Sequence, residues 1–582
     1  EFRRVLFRST CLLSYNYRFT GSFYENGVWV NKIQVTPKRK SDPCFSGYIY
    51  ICDSTWRIYN VDVFVTKENQ VRFVDTLRIS QVYLPVNDSV WMPFSNKFSF
   101  NFGVFGFEGN GYFTGIQSNY LLNPEVSKRF FNGEEWHVNE GSNKKENTYW
   151  DSIRPIPLTH EETLDYERKD SLHRIWDSPR YKDSLDKRNN RLQLNAFWEG
   201  YSWRSTRKGI NFRTAPLLTG FLYNTVQGWN PGLTLFFSKR MKETKKEFQS
   251  ECRSYYGLSS FEFFISGEVR YEYNPKTNSR ITLSGGREAS QFNAANPISP
   301  FVNCVYSLLD KHNYMKLYRN EFGSIRLRSE PFNGLTFFTS VLFSARSPLQ
   351  NSSDFSWVKR SYDFASNDPG NFHFDSLNFT ADRKAEISFG IRVRPGQRYY
   401  LLPNEKVNIR SKYPEFSLNY TKALPSVFGS RVEYDLLVFS VADRLNLKRF
   451  GRAEFLFRGG KFFNTKNMQF MDYKHFSGNQ TYFTDFDLQK FQLLDYYKFS
   501  TRNYFLEGWY SQNLGGFFLN SIPLVKKLKL EEILTLRYAY MEKLSHYFEF
   551  STGLRYLLAR LDYVWSINSG KVSNGIRFGF LF

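Results

Sequence analysis

The sequence predicts an all-β fold: a transmembrane antiparallel β-barrel of about 14–16 strands, with sixteen favoured, behind a small curved antiparallel sheet and a charged, partly helical linker. Three observations predict it. Phe, Tyr and Trp make up 19% of the 582 residues, although the mean hydropathy is −0.50. Segments of roughly ten residues alternate between apolar and polar side chains through the C-terminal two thirds. The last segment ends on an aromatic residue.

Composition and charge exclude other classes of protein. No stretch approaches the ~18–20 consecutive apolar residues of a transmembrane helix, so only a closed barrel would let this chain span lipid. The formal charge of +22 is spread along the chain, without a concentrated basic patch or a nucleic-acid-binding motif. Diffuse positive charge suits barrel rims that meet anionic lipid headgroups, or a lumen that favours anions.

The sequence divides into parts by composition and alternation. The segment Glu1–Ser9 lacks an initiator Met and an apolar signal region, which indicates a non-native or truncated leader. We predict four parts: a leader at 1–13, a β-domain at 14–123, a charged linker with a short helix at 124–190, and the barrel at 191–582.

The two parts before the barrel have different signatures. In the β-domain, Tyr48–Thr66 and Phe98–Phe107 alternate with period two, which is typical of half-buried antiparallel strands. In the linker, Thr159 followed by Glu162 forms a capping-box pattern that opens a helix to about Trp176. The linker is expected to be solvated, and the alternative is a plug or docking segment.

Alternation in the barrel part separates an outer from an inner face. In Phe261–Tyr273 and Lys384–Arg394, one face is apolar and the other is polar and largely charged, over the length of a tilted strand that crosses a bilayer. Mixed signs indicate a lumen crossed by ion pairs or filled by a loop. The predicted lumen-facing charges are Glu268, Arg270, Glu386, Arg392, Arg394, Glu454 and Arg458.

The final strand, Lys571–Phe582, carries the most specific pattern. A short strand with an aromatic last residue can close the barrel, and its free edge can pair with another strand before closure. The pattern resembles the β-signal that outer-membrane barrels present to the barrel assembly machinery during insertion. The residues that carry this resemblance are Ser573, Gly575, Phe578, Phe580 and Phe582.

No motif for catalysis emerges. The seven histidines form no HExxH pair, and the chain lacks a GxSxG elbow, a P-loop and a GxGxxG turn. We therefore predict no catalytic, metal-binding or cofactor-binding residues, no cofactor, and no enzymatic activity. A barrel-embedded hydrolase with Ser, His and Asp on scattered strands is the remote alternative.

Several segments resemble a known family. CDSTWRIYNVDV, VNDSVWMP, GNGYFTG, IRPIPLT, FLYNTVQGWN and above all Asp495–Leu530 are similar to uncharacterised outer-membrane proteins of Bacteroidota. Members of that family carry a carboxypeptidase-regulatory-like domain before this region. The N-terminal sheet more weakly resembles the half-barrel of periplasmic lipoprotein carriers, with a Phe-rich face for an acyl chain. The alternative is that these Phe side chains pack on a helix or on the barrel base.

The barrel itself is similar to the outer-membrane assembly and two-partner secretion superfamily. That resemblance implies sixteen strands and a long loop folded into the lumen, for which Phe476, Gly478 and Asn479 are the candidate residues. The Arg-Gly-Tyr or Arg-Gly-Phe tripeptide of that loop is missing here. Gly459–Asn503 is the deciding segment, because an inward fold favours assembly and an outward one opposes it.

The resemblance implies a place and a role. We expect the cell outer membrane, with the N-terminal domain in the periplasm, and a structural or assembly/translocation role. The alternative is a passive or selective solute channel. Expected partners are outer-membrane lipid, the barrel assembly machinery, and a periplasmic protein or lipid cargo, and no nucleic acid.

Overall fold

The computed structural model describes residues 11–39, 44–69, 75–87, 89–104, 107–127, 133–369, 379–542 and 545–580. Its two large elements are a seven-stranded antiparallel sheet and a closed barrel, joined by a segment that contains most of the helices. Phe582 and most of the predicted leader, residues 1–10, lie outside the described residues.

The N-terminal sheet is a meander in which each strand pairs with the next. Val63 and Ile49, at its centre, are at most 2% exposed. The rings of Phe100 and Phe102 lie over Gly111 and Gly109, where a Cβ atom would come within 3 Å of them. The Phe-rich face therefore packs in part on the glycines of the neighbouring strand. Its elements are α1 (Cys11–Ser14), β1 (Tyr15–Glu25), β2 (Val28–Pro37), β3 (Ser46–Cys52), β4 (Ile58–Thr66), β5 (Thr76–Pro85), β6 (Trp91–Val104) and β7 (Phe107–Ile116).

The described residues between the N-terminal sheet and the first barrel strand form one short strand and four α-helices, the last of which follows the predicted linker: β8 (Glu134–His137), α2 (Asn147–Ile153), α3 (His160–Asp177), α4 (Pro179–Asn189) and α5 (Ala196–Glu199). The helix α3 begins where the capping box predicts, because Thr159 Oγ1 accepts the Glu162 N–H at 3.2 Å. In α4, Asp186 accepts hydrogen bonds from the backbone and hydroxyl of Thr206 at 2.7 Å each, which ties the linker to the barrel entrance.

No helix among the described residues is long and apolar enough to cross a membrane.

The remaining strands begin at β9 and are separated by one helix, α6 (Pro300–Asp310). They are β9 (Ser202–Ser205), β10 (Ile210–Thr214), β11 (Phe221–Asn224), β12 (Gly228–Arg240), β13 (Glu247–Gly257), β14 (Glu262–Asn274), β15 (Ser279–Gln291), β16 (Leu317–Phe332), β17 (Leu335–Pro348), β18 (Asp382–Val393), β19 (Tyr399–Leu401), β20 (Lys406–Asn408), β21 (Glu415–Ala423), β22 (Glu433–Asn446), β23 (Arg452–Lys466), β24 (Lys474–His475), β25 (Ser500–Thr501), β26 (Tyr504–Asn513), β27 (Glu531–Met541), β28 (Ser545–Tyr556), β29 (Ala559–Asn568) and β30 (Lys571–Phe580).

The described strands form a closed wall. The ring contains eighteen strand segments and excludes β8, β19, β20, β24 and β25. Because β10 and β11 pair with opposite halves of β12, they occupy one position in the ring. That leaves seventeen positions including the four-residue β9 at the point of closure, close to the sixteen strands that the sequence favours.

The two ends of the barrel differ. At one end, which we call the terminal end, lie the entrance at β9 and the end of β30. Turns as short as Asn333–Gly334 and Leu557–Leu558 lie there. At the other, the loop end, lie the long connections 292–316, 349–381 and 467–503. The linker strand β8 pairs in parallel with β19 at the terminal end, so the N-terminal part is attached on that side.

The wall has an apolar outer face. Leu283, Ile391 and Leu536 point outward and are 45%, 41% and 51% exposed. Their neighbours on the other face include Arg392 and Arg537. A continuous exposed apolar band around a closed antiparallel sheet fits a hydrocarbon environment.

We expect Leu536→Arg to lower the free energy of unfolding in phospholipid vesicles by about 2–4 kcal/mol, because it places a charge on the lipid-facing wall. Leu536→Met is the matched control and should change it by less than about 1.5 kcal/mol. Equal stability of the two variants in vesicles would contradict a lipid-facing wall.

Candidate functional site

The connection between β23 and β26 folds into the barrel. We call residues 467–503 the plug. Phe476, Phe491 and Phe499 in the plug are at most 1% exposed and pack in one cluster with Trp509 and Tyr547 from the inner face of the wall. The plug therefore fills the lumen along the strands from β22 to β28 with an apolar core.

The predicted loop residues all lie in the plug. The segment Gly459–Asn503 is inward, although its first eight residues continue strand β23 to Lys466. Phe476 is buried. Gly478 leaves no room for a side chain, because a Cβ atom there would lie 2.3 Å from the Leu494 carbonyl oxygen. Asn479 closes the following turn by donating to the Thr481 carbonyl at 3.0 Å.

Three buried charged contacts hold the plug. In the first, the carboxylate of Asp472 is fully buried and receives Arg346 Nη1 at 2.5 Å and Lys384 Nζ at 3.2 Å. Arg346 also donates through Nε to Asp382 at 2.8 Å. Four charges of balancing sign thus fix the start of the plug to β17 and β18. Because each is buried, loss of one would leave another uncompensated.

The second contact lies on β23 and β26. Glu507 is 3% exposed and accepts Lys474 Nζ from the plug at 2.9 Å. Arg458 from β23 reaches the same carboxylate at 3.3 Å. The wall thus supplies a buried counter-charge for a plug lysine that is itself largely buried.

The third contact holds the plug by its backbone. Glu549 on β28 is 1% exposed and accepts the N–H groups of Gln492 and Leu493 at 2.8 and 2.7 Å. Arg577 on β30 donates through Nε to the Gln492 carbonyl at 2.7 Å. Backbone groups that leave water must be paired, and here two wall charges pair them. This contact therefore depends on the backbone conformation of the plug more than on the identity of its side chains.

The plug also occupies the edge of the last strand. The Phe578 N–H donates to the Tyr482 carbonyl, and the Thr484 N–H donates to the Phe578 carbonyl, both at 3.0 Å. Phe483 and Phe578 form a parallel bridge with ring centroids 4.3 Å apart. A short plug segment, 482–484, is thus bound to β30 as an added strand.

Two glycines of β30 make room for that segment. A Cβ atom on Gly579 would lie 1.8 Å from the Thr484 carbonyl oxygen. A Cβ atom on Gly575 would lie 3.0 Å from the end of the Leu493 side chain, a contact that a small shift relieves. Gly579 is thus required by close backbone approach.

The other side of this gap is built by α6. Tyr482 donates its N–H to the Tyr306 hydroxyl at 3.0 Å, and the Tyr223 N–H on β11 donates to Cys304 Sγ at 3.3 Å. Burial raises the pKa of the Tyr306 hydroxyl, so this group stays neutral. We call the gap between β30 and the first strands, occupied by 482–484, the seam.

Barrel closure at the seam differs from the rest of the wall. The strand order places β9 beside β30. The plug segment shares this edge, since it binds both backbone groups of Phe578.

The β-signal residues fall on two faces of β30. Phe578 and Phe580 point outward and are 38% and 54% exposed. Ser573 and Gly575 share the inner face with Arg577. The sequence did not indicate the role of Gly579, Glu549 or Tyr482–Thr484, because their contacts lie far along the chain and follow no local pattern.

All seven predicted lumen charges lie on the inner face and belong to ion pairs. Glu268 binds Arg270 at 2.7 Å, and Glu454 binds Arg444 at 3.3 Å. Glu386 binds Lys384 at 2.9 Å. Arg392 and Arg394 share Glu415, and Arg458 binds Glu507. In the part of the chain that the structure describes, no three His, Cys, Asp or Glu side chains are grouped to hold a metal ion.

Comparison with protein-family models identifies the family of this chain. Residues 194–554 match the C-terminal domain of a family of unknown function, DUF5686, and residues 7–120 match its other DUF5686 domain. The chain belongs to this family. The comparison with curated proteins gave no match.

Solved barrels show distant similarity to this DUF5686 member. BamA from Haemophilus ducreyi lacking POTRA domains 1–3 is 9% identical, with 68% of this chain and 76% of that chain covered and a TM-score of 0.36. CdiB from Acinetobacter baumannii is 10% identical, with 64% of this chain and 60% of that chain covered and a TM-score of 0.31. A Rhodopseudomonas blastica porin mutant is 8% identical, with 60% of this chain and 89% of that chain covered and a TM-score of 0.27.

We expect Gly579→Ala to displace the plug segment from β30, because its Cβ meets backbone that cannot move away locally. Hydrogen exchange at the Thr484 amide should accelerate by at least about tenfold in the folded barrel. Gly575→Ala, whose Cβ meets only the ends of two flexible side chains, Leu493 and Arg577, is the control and should leave that exchange nearly unchanged.

We expect Glu549→Gln to weaken plug retention by about 3–5 kcal/mol, because the fully buried Arg537, whose Nη1 lies 3.7 Å from the Glu549 carboxylate, loses its counter-charge. Limited proteolysis between residues 485 and 495 measures it. Glu454→Gln removes the same charge from a partly exposed pair and should cost about 1 kcal/mol or less. Equal protection in both variants would show that the charge of Glu549 does not hold the plug.

Proposed function

We propose that this protein is an integral outer-membrane β-barrel that accepts a polypeptide strand at its seam, in an assembly or translocation role. The observation that carries the proposal is the occupant of the β30 edge. Tyr482 and Thr484 bind both backbone groups of Phe578 in the way that a guest strand would.

The chemistry of this edge favours a polypeptide. A strand edge offers alternating N–H and C=O groups, which pair with another backbone and with no part of a lipid chain. Phe483 and Phe578 add one aromatic contact on the outer face. Displacement of the plug segment would expose the same groups to an incoming strand, which could leave sideways into the membrane.

The two ends of the barrel support an orientation. The three longest connections lie at the loop end, although the terminal end also holds the connections 394–414 and 514–530. Outer-membrane barrels have their longer loops on the extracellular side. The terminal end carries the linker and the N-terminal sheet. We therefore place the N-terminal domain in the periplasm, where it would meet cargo. From the family resemblance we also propose a Bacteroidota origin and a preceding carboxypeptidase-regulatory-like domain.

A solute channel is the second candidate. The charged inner face between β13 and β18 favours it, since Glu251, Arg253 and Arg270 are partly exposed there. The plug opposes it, because the strands from β22 to β28 enclose a packed core. We propose no catalytic activity and no cofactor.

We test the proposal with a disulfide between Phe483→Cys and Phe578→Cys, in a variant whose native cysteines are replaced by serine. Neighbouring strands lie roughly 5 Å apart, which a disulfide spans. The assay follows an unfolded outer-membrane barrel polypeptide as it becomes protease-resistant in vesicles that contain the protein. Oxidation should abolish the acceleration over empty vesicles, and reduction should restore it.

The matched control joins Tyr563→Cys to Ile576→Cys, a register pair within the wall. It should leave the acceleration unchanged when oxidised. If the seam disulfide has no effect, the seam is not the accepting site. In planar bilayers we expect near-silence, whereas a large steady conductance of the wild type would favour the channel.

A further inference from the structure

We infer that the lumen wall carries a binding site for a phosphate-type oxyanion, built from Arg280, Arg326 and Arg328. These three residues, which we call the arginine cluster, lie on β15 and β16. The inference does not depend on the proposed function, because the cluster lies away from the seam, at the terminal end of the wall, whereas the plug contacts on the nearby β17 and β18 lie at the loop end.

Strand register brings the three side chains together. Arg280 and Arg328 are direct partners across β15 and β16, so their Cα atoms lie about 5 Å apart. Arg326 precedes Arg328 by two residues on β16, so its Cα atom lies about 7 Å from that of Arg328 and its side chain points to the same inner face. Thr282 is its register partner. Three guanidinium groups can therefore converge on one multivalent oxyanion.

The cluster lacks the partners that other lumen charges have. Every predicted lumen charge belongs to an ion pair, whereas Arg280, Arg326 and Arg328 form neither an ion pair nor a side-chain hydrogen bond with any described residue. Like charges directly opposite each other on neighbouring strands are destabilising. An anion bound between them would remove that repulsion.

The carboxylates near the cluster are largely engaged elsewhere. Glu330 is 3% exposed and binds Lys406 at 2.8 Å. Glu415 binds Arg392 at 3.1 Å. Glu272 is the register partner of Arg280 but forms no ion pair with a described residue. Three arginines against one carboxylate leave the cluster with a net charge of +2.

The surroundings pre-organise part of the site. The Phe338 ring lies between the guanidinium groups of Arg328 and Arg392, at 5.6 and 4.8 Å from its centroid. Stacking on an aromatic face limits the motion of an arginine while its N–H groups stay available. Arginine forks match the oxygens of phosphate bidentately, so a phosphate-type group is the favoured ligand class.

The site is reached from the terminal end. Arg280 is the second residue of β15, and Arg328 lies near the end of β16. The plug approaches this part of the wall at the loop end instead, where the Lys316 N–H donates to the Tyr497 hydroxyl at 3.4 Å. A soluble anion that enters from the terminal end would meet the cluster without moving the plug.

We test this with inorganic pyrophosphate and the full chain in phosphatidylcholine nanodiscs at constant ionic strength. Binding is measured by titration calorimetry. We expect saturable binding, weakened at least about tenfold in Arg326→Gln and abolished in the triple Gln variant of the cluster. Arg326→Lys keeps the charge without the fork and should bind at an intermediate level.

The matched control is Arg253→Gln, which removes a lumen arginine that already has Glu251 at 3.2 Å. It should bind pyrophosphate like the wild type. Unchanged binding in Arg326→Gln, or an equal loss in Arg253→Gln, would overturn the site. Should the triple variant fail to fold, the Arg326 variants alone decide.

A second arm identifies the source of the phosphate group. Nanodiscs of phosphatidylglycerol without pyrophosphate test a lipid headgroup, read as a cluster-dependent rise in Tm. Pyrophosphate binding in phosphatidylcholine supports a soluble ligand, whereas a rise with phosphatidylglycerol alone supports a headgroup ligand of the same site. Absence of both effects overturns the inference.

Discussion

The edge of the last strand is the constraint on which the rest of this structure depends. A sheet that closes on itself must satisfy the backbone groups of its first and last strands, because lipid offers them no partner. Here the Phe578 N–H and C=O are satisfied by Tyr482 and Thr484 of the plug. The plug is therefore part of barrel closure as well as of lumen filling, and its position is linked to the integrity of the wall.

Buried charges make that link strong. Asp472, Glu507 and Glu549 each sit where solvent does not reach, and each is matched by positive groups or by backbone N–H groups. A buried charge is costly once its partner is gone, so the plug stabilises the wall and the wall stabilises the plug. The three contacts lie on different strands, so the plug is bound to the wall at several positions around the lumen.

The lumen is divided by this arrangement. Between β22 and β28 it is an apolar core, and between β13 and β18 it keeps a charged, partly exposed wall with an arginine cluster. Part of the diffuse positive charge of the chain is thus concentrated by the fold on one side of the lumen. The linker joins the barrel at the terminal end through β8 and Asp186, so motion of the N-terminal part has a physical route to the barrel entrance.

The sequence by itself determined the wall and the capped helix. Alternation around Phe263 and Glu268 assigns outer and inner faces because side chains on a strand alternate with period two, and Thr159 with Glu162 fixes the start of α3 through contacts three residues apart. Only the tertiary structure decided the seam and the arginine cluster. Arg346 and Asp472 are 126 residues apart in sequence. The need for Gly579 arises from a plug segment elsewhere in the chain, and Arg280 meets Arg328 only through strand register. Local pattern carries no information on contacts at such separations.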